Sequence, residues 1–206
     1  MNKVNKITKQ TQNRFLNLYD FQGVDRKGKE INYYVASRAE NIEQLKVNKE
    51  SWKGDAVIVY AIYQEEGVEK LVLIKQYRYS IDRYIYELPA GLVDKGESLK
   101  EAATRELKEE TGLDLILVEV DEIYEKPFFT SVGMSDECCA TIYGEAKGSV
   151  SLEQLEDLED IEVVLADRKQ VREILANEIV ALPSGYSMLH FLGSEEGKAL
   201  DFLKVL

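Results

Sequence analysis

Gly91-Leu92-Val93-Asp94-Lys95-Gly96-Glu97-Ser98-Leu99-Lys100-Glu101-Ala102-Ala103-Thr104-Arg105-Glu106-Leu107-Lys108-Glu109-Glu110-Thr111-Gly112-Leu113 puts a tight turn, a short acidic helix and a glycine stop into one run. Leu99, Ala102, Ala103 and Leu107 recur at helical spacing, and Ser98 with Glu101 forms a Ser-x-x-Glu start signal. Gly112 suits the left-handed residue that ends a helix. The pattern predicts a helix over 98–111.

Glu106, Glu109 and Glu110 then stand at i, i+3 and i+4, with Cβ atoms about 5–6 Å apart on one face. Like charges so placed repel, and in the last turn they also oppose the helix dipole. A divalent cation turns both penalties into affinity, and an all-oxygen donor set suits magnesium or manganese. From the glutamates alone, an ordinary solvated acidic helix is an equally good reading.

The full spacing separates the two. A glycine, five residues, Glu97, seven residues, Arg105-Glu106-Leu107, one residue, Glu109-Glu110, one residue, Gly112 and hydrophobic Leu113 resembles the complete signature of the Nudix hydrolases. The resemblance implies a Nudix α/β/α sandwich with a mixed sheet, whose loop-helix-loop holds Mg2+, or Mn2+, against a diphosphate. It implies hydrolysis of a nucleoside diphosphate linked to another moiety. Carried over by position, Glu106 and Glu110 are the main metal ligands and Glu109 a further ligand or water-orienting group. Glu97 ties the loop and reaches toward a metal, the Ala90 carbonyl is a backbone ligand, and Arg105 braces the glutamates by ion pairing.

The remaining composition is consistent with such an enzyme. The chain has 206 residues, 45% hydrophobic and 31% charged, enough for one well-buried globular unit with a small extension. Its net charge of −12, from 38 acidic against 26 basic residues, disfavours nonspecific binding to nucleic acid or anionic membranes. Cys138 and Cys139 are adjacent and point to opposite faces of an extended chain, so neither a disulfide nor a zinc site is indicated. No apolar run approaches a membrane span, and the polar start Met1-Asn2-Lys3-Val4-Asn5-Lys6 lacks an export signal, so a cytoplasmic protein is expected. His190, the sole histidine, reads as a packing residue, and no serine or cysteine has a convincing triad partner.

Residues 1–13 read as a loose polar lead-in. Arg14 to Phe21 and Ile31 to Ser37 are aromatic-rich strands separated by the hairpin-like Gly23-Val24-Asp25-Arg26-Lys27-Gly28-Lys29. Strands this short need a larger partner surface. The expected division is 1–50, a small N-terminal antiparallel β segment used in dimerisation, and 51–206, the hydrolase domain. In the similar Nudix branch acting on ADP-ribose and related sugars, such a segment builds a homodimer and lends residues to the sites. Tyr33 there matches an aromatic that stacks on the base, and Arg38 an arginine near the nucleotide. Read without the family, they are a core aromatic and a solvated arginine.

Asp55 to Tyr63 and Lys70 to Gln76 are apolar strands, and Trp52 before them is either a core anchor or a pocket wall. Gln76-Tyr77-Arg78 and Glu87-Leu88-Pro89-Ala90-Gly91 resemble runs of the sugar-nucleotide branch. Arg78 matches a substrate-binding arginine, whose planar fork suits phosphate, and Glu87 a group near the base or the dimer contact. Arg83 faces solvent. After the helix, Leu113 to Ile123 reads as a strand or two, and Glu137 ends a glycine-containing loop before a strand from Cys138 to Gly144. By similarity Glu137 is the general base, a water-orienting group or a late metal ligand; otherwise it is a solvated loop residue.

One departure bears on substrate. The ADP-ribose branch has Ser-Pro-Gly where this chain has Ser131-Val132-Gly133, and valine does not fix φ as proline does. ADP-ribose leads as the substrate, with GDP-mannose or another nucleoside diphosphate derivative, or a modified nucleoside triphosphate, as alternatives. Leu152, Leu155 and Leu158 sit in an acidic stretch that reads as a loop or short helix. Ile161 to Ala166 reads as a strand, Asp167 as the N-cap of a helix through Ala176, and Pro183-Ser184-Gly185 as punctuation. Ser187 to Phe191 and Glu195 to Leu206 read as closing helices.

Overall fold

The computed structural model describes residues 3–155 and 159–204, so Leu158 and the terminal Val205 and Leu206 lie outside the described residues. The chain divides into two units, Met1–Asp55 with Pro127–Cys139, and Ala56–Lys126 with Ala140–Leu206.

The second unit is built on a sheet with strand order β11-β5-β4-β10-β8, with β6 beside β5 and β7 beside β4. These strands are β4 (Ala56–Glu65), β5 (Val68–Arg78), β6 (Arg83–Glu87), β7 (Ala90–Leu92), β8 (Asp114–Leu117), β10 (Cys138–Lys147) and β11 (Ile161–Ala166). β5 pairs antiparallel with β4, β6 and β11, and a parallel bridge from Tyr86 to Val180 makes the sheet mixed. Alternation along β4 assigns the two faces. Val57, Val59 and Ala61 pack with Ala102, Ala103 and Leu107 of α1 (Leu99–Thr111). Tyr60 and Ile62 pack instead with Val171 and Ile174 of α3 (Arg168–Asn177) and Met188 and Phe191 of α4 (Leu182–Gly193). Helices therefore cover both faces, the α/β/α arrangement expected. Among the described residues no helix is long and apolar enough to cross a membrane.

The first unit is organised by a three-stranded antiparallel sheet, β1 (Val4–Lys9), β2 (Asn17–Val24) and β3 (Glu30–Ser37), in that order. Tyr19, Phe21 and Val35 on one face bury against Leu45. The same unit holds β9 (Phe128–Phe129), which pairs with Cys138 and Cys139.

Several local expectations change. The supposed lead-in contains β1, whose polar residues match Val4 to Gly23 and Lys9 to Tyr19 of β2; backbone pairing, not an apolar pattern, makes it a strand. Leu113 to Ile123 yields β8 and then a single-turn α2 (Glu122–Glu125) started by the Asp121 side chain. Pro183-Ser184-Gly185 lies inside the first turn of α4, where proline removes an N–H that has no helical partner anyway. Among the described residues from Glu195 to Lys204 the only helical element is a 3-10 turn at Asp201–Leu203. Trp52 is 48% exposed, its indole N–H donating to the Lys46 carbonyl and its ring edge on Phe129, so it is no core anchor. His190 packs its ring on Phe202 with centroids 4.0 Å apart, and burial lowers its pKa.

Candidate active site

The helix α1 starts with a full capping box: Ser98 accepts from the Glu101 N–H, and the Glu101 side chain accepts from the Ser98 N–H at 2.8 Å. It ends on Gly112 in the left-handed region, φ 75°, where a Cβ would also strike the Ser151 backbone N at 2.5 Å. Between these ends, the alanines and Leu107 fix the helix on the sheet, and that rotation carries Glu106 and Glu110 inward. Glu106 is 9% exposed and Glu110 1%.

Arg105 ties the acidic set together. Its Nε and Nη2 grip both Glu97 oxygens at 2.9 Å, and Nη2 also donates to the Leu92 carbonyl. Its Nη1 donates to Glu106 Oε1 at 2.7 Å and to Glu109 Oε2 at 3.0 Å. One guanidinium thus locks the turn before the helix to the helix's own face. Glu97 in turn accepts from the Asp94 N–H, and its pKa is lowered by Arg105 first and by that backbone bond.

Glu110 has much less support. Its Oε2 accepts from the Ala90 N–H at 3.0 Å, which sets the Ala90 backbone beside the carboxylate. Burial and the neighbouring Glu106 charge push its pKa well above the usual carboxylate range. Glu106 is raised as well, by burial first, against the opposing pull of Arg105. Gly91 is shaped to this arrangement: a Cβ there would lie 2.0 Å from the Glu106 carboxyl carbon. Glu110, buried beside Glu106 and not bonded by the Arg105 that pairs with Glu106, favours a cation. Among the described residues no group of three or more His, Cys, Asp or Glu side chains is placed to hold a metal ion. A cation on the Glu106 and Glu110 pair would therefore take two carboxylates at most, with water and phosphate oxygens completing its shell.

Arg78 and Glu87 form a second constellation in this unit. Arg78 Nε donates to both Glu87 oxygens at 3.2 and 3.1 Å, and Nη2 to Oε2. Burial opposes the Arg78 charge, but Glu87 outweighs it and the pKa is raised, with Glu110 and Glu159 contributing at longer range. Glu159 is the residue that sequence reasoning missed: its charge also raises Glu106 and Glu110. Only its place two residues before β11 (Ile161–Ala166) signals it, since strand ends carry functional groups.

Tyr33, Arg38 and Glu137 belong to the first unit. Tyr33, 46% exposed, donates its hydroxyl to the Gly133 carbonyl at 2.7 Å. Arg38 Nε donates to Glu137 Oε1 at 3.2 Å, and Thr130 donates to the other oxygen at 3.3 Å. Neither Tyr33 nor Arg38 is buried in the core or free of partners. Val132 is 69% exposed in the turn closed by the Met134 N–H to Ser131 carbonyl bond.

A protein-family model described as NUDIX domain matches residues 52–179. The chain belongs to the Nudix family. It is 34% identical over 128 residues to a nudix hydrolase of Caenorhabditis elegans, covering 60% of this chain and 56% of that one. It is 33% identical over 137 residues to the ADP-ribose pyrophosphatase of Bacillus subtilis, covering 65% and 69%. This Nudix chain spans about half the length of most of the curated relatives it matches first. A crystal structure of an ADP compounds hydrolase superposes with a TM-score of 0.64 at 17% identity, covering 90% of this chain and 89% of that one, and shows the shared fold.

Proposed function

We propose that this Nudix protein hydrolyses the diphosphate linkage of a nucleoside diphosphate sugar, with ADP-ribose as the leading substrate and AMP and ribose 5-phosphate as products. The observation that carries the reading is the buried pair Glu106 and Glu110 beside Gly91, both raised in pKa, in which Arg105 bonds Glu106 but not Glu110. The names of relatives in Bacillus subtilis and Saccharomyces cerevisiae support ADP-ribose. Val132 at the proline position keeps GDP-mannose, other nucleoside diphosphate derivatives and modified nucleoside triphosphates as the alternatives.

In this reading Glu106, Glu110 and the Ala90 carbonyl hold magnesium, with manganese a substitute, and Glu109 and Glu97 complete or orient the set. When bound, magnesium supplies Lewis-acid polarisation of the phosphoryl oxygens and a more acidic water. Arg105 keeps Glu97, Glu106 and Glu109 at fixed positions, so little reorganisation is needed as charge develops. Arg78, released from Glu87, steadies a phosphate. Water attacks phosphorus, the bond to the bridging oxygen breaks, and a carboxylate takes the water proton. Glu137 has that role by family resemblance, with Tyr33 and Arg38 as nucleotide contacts; what supports them is the bonding within their own unit. A Glu137→Gln variant tests its role, because loss of the true base flattens the acid limb of the pH–rate profile. A homodimer through the N-terminal sheet is part of the same proposal.

The test is product release by purified protein with magnesium across ADP-ribose, GDP-mannose, other nucleoside diphosphate sugars and nucleoside triphosphates. The highest kcat/KM is expected for ADP-ribose. Turnover confined to triphosphates would overturn the substrate class, and no magnesium-dependent turnover of any of them would overturn the enzyme.

A further inference from the structure

Two groups on one face of β5 carry hydrogen-bonding capacity that no neighbour among the described residues uses. Val72 packs with α1, whereas Leu71 and Leu73 pack with α3 and α4, so alternation puts Gln76 and Arg78 on the α1 face. In the register with β6, Ile74 stands opposite Glu87 and Gln76 opposite Ile85. The Arg78 side chain therefore reaches past the Gln76 row to meet Glu87. It does so through Nε and Nη2, leaving Nη1 outside the pair. Gln76 is 7% exposed, and among the described residues its Oε1 has no hydrogen-bond partner. A buried amide oxygen without a donor is costly, and here a guanidinium whose Nη1 has no hydrogen bond among the described residues is two residues away on the same face.

We propose that Gln76 is a positioning residue for Arg78, a second seat that the arginine takes when a diphosphate draws it from Glu87. Phosphate oxygens and the Glu87 carboxylate compete for the same Nε and Nη2 edge, because each offers two oxygens to the guanidinium's planar fork. Once that edge turns to the anion, Nη1 donates to Gln76 Oε1, and the guanidinium plane is held from both sides. Glu87 alone would keep Arg78 parked; Gln76 makes the second position as definite as the first. A leucine at position 76 would fill the same space without offering the acceptor. This inference rests on the reading of Arg78 as the anion contact.

The experiment is a double-mutant cycle read by calorimetric titration of inorganic pyrophosphate at fixed magnesium, on the full chain and its Gln76→Leu, Arg78→Ala and doubly substituted forms. Gln76→Leu is expected to weaken pyrophosphate by about 10-fold, the scale of one hydrogen bond to a charged group, with no further loss in the Arg78→Ala background. It is also expected to raise KM for the hydrolysed substrate by about the same factor with kcat within about 2-fold, and to raise Tm by removing the orphaned oxygen. Gln76→Met, similar in length and also without the acceptor, repeats the cycle if the leucine form does not fold. Unchanged affinity in Gln76→Leu, or an equal loss with and without Arg78, would overturn the proposal. If the wild type turns over no nucleoside diphosphate sugar while the pyrophosphate cycle behaves as described, the functional reading fails and the role of Gln76 stands.

Discussion

Two buried acids in the same unit have opposite surroundings. Glu69, 5% exposed, accepts from Arg168 Nη2 at 2.8 Å and from the Ala199 N–H at 3.2 Å. Arg168 is itself saturated, bonding Glu196 at 2.7 Å, Ser194 Oγ at 3.0 Å and the Glu195 carbonyl at 2.9 Å, with its guanidinium 4.5 Å from the Phe191 ring centroid. Glu110 is more deeply buried, yet it has one backbone N–H and a second carboxylate for a neighbour. A matched buried charge closes the fold, here fastening the chain after α4 to β5 and α3. An unmatched one costs stability in the protein alone and is kept for what it binds.

The largest expected effect comes from removing the unmatched charge. Glu110→Gln should reduce kcat by about 10³-fold, since a charged metal ligand is lost, while thermal denaturation without metal shows a higher Tm than wild type. A variant both slower and less stable would make Glu110 another Glu69. Arg168→Ala should do the reverse, destabilising by about 3 kcal/mol because Glu69 is left buried and unpaired, with kcat per folded molecule unchanged. A denaturant titration and an active-fraction assay together check it. Gly91→Ala is next: the new Cβ must move the Glu106 carboxylate, and a shift of about 1 Å is expected to cost up to 10²-fold in kcat/KM with little change in the denaturation midpoint.

The smallest effect is the pH dependence of stability in chelator. Glu106 and Glu110 have folded pKa values raised above their unfolded values, so the folded state binds more protons there. Their contribution is most favourable below the unfolded carboxylate pKa and declines as pH rises through the raised folded values. The metal-free Tm of wild type should therefore fall over that window relative to Glu110→Gln, and saturating magnesium should reduce the difference. Parallel Tm curves would remove the claim of unmatched charge.

Local features were legible before the structure. The capping box, Gly112 and the shared face of Glu106, Glu109 and Glu110 follow from spacing within one helix, and Asp167 before α3 likewise caps with its own Gln170, whereas the burial of Glu106 and Glu110 comes from the sheet the helix packs on. What was hidden depends on distant pairing. β1 has no apolar rhythm and exists because β2 offers it hydrogen bonds. Pro183 inside α4 reads as a breaker because nothing nearby tells an end from a first turn. The charge effect of Glu159 on the site, and the Gln76 oxygen without a partner among the described residues, depend on tertiary neighbours that sequence spacing does not show.

The most direct test of the central claim is calorimetric titration of magnesium into the wild type and into Glu110→Gln at one pH. Saturable binding by the wild type, weakened by at least about 10-fold in the variant, is the predicted result. Equal binding by both, or none by either, would contradict the assignment of the buried Glu106 and Glu110 pair as a cation site.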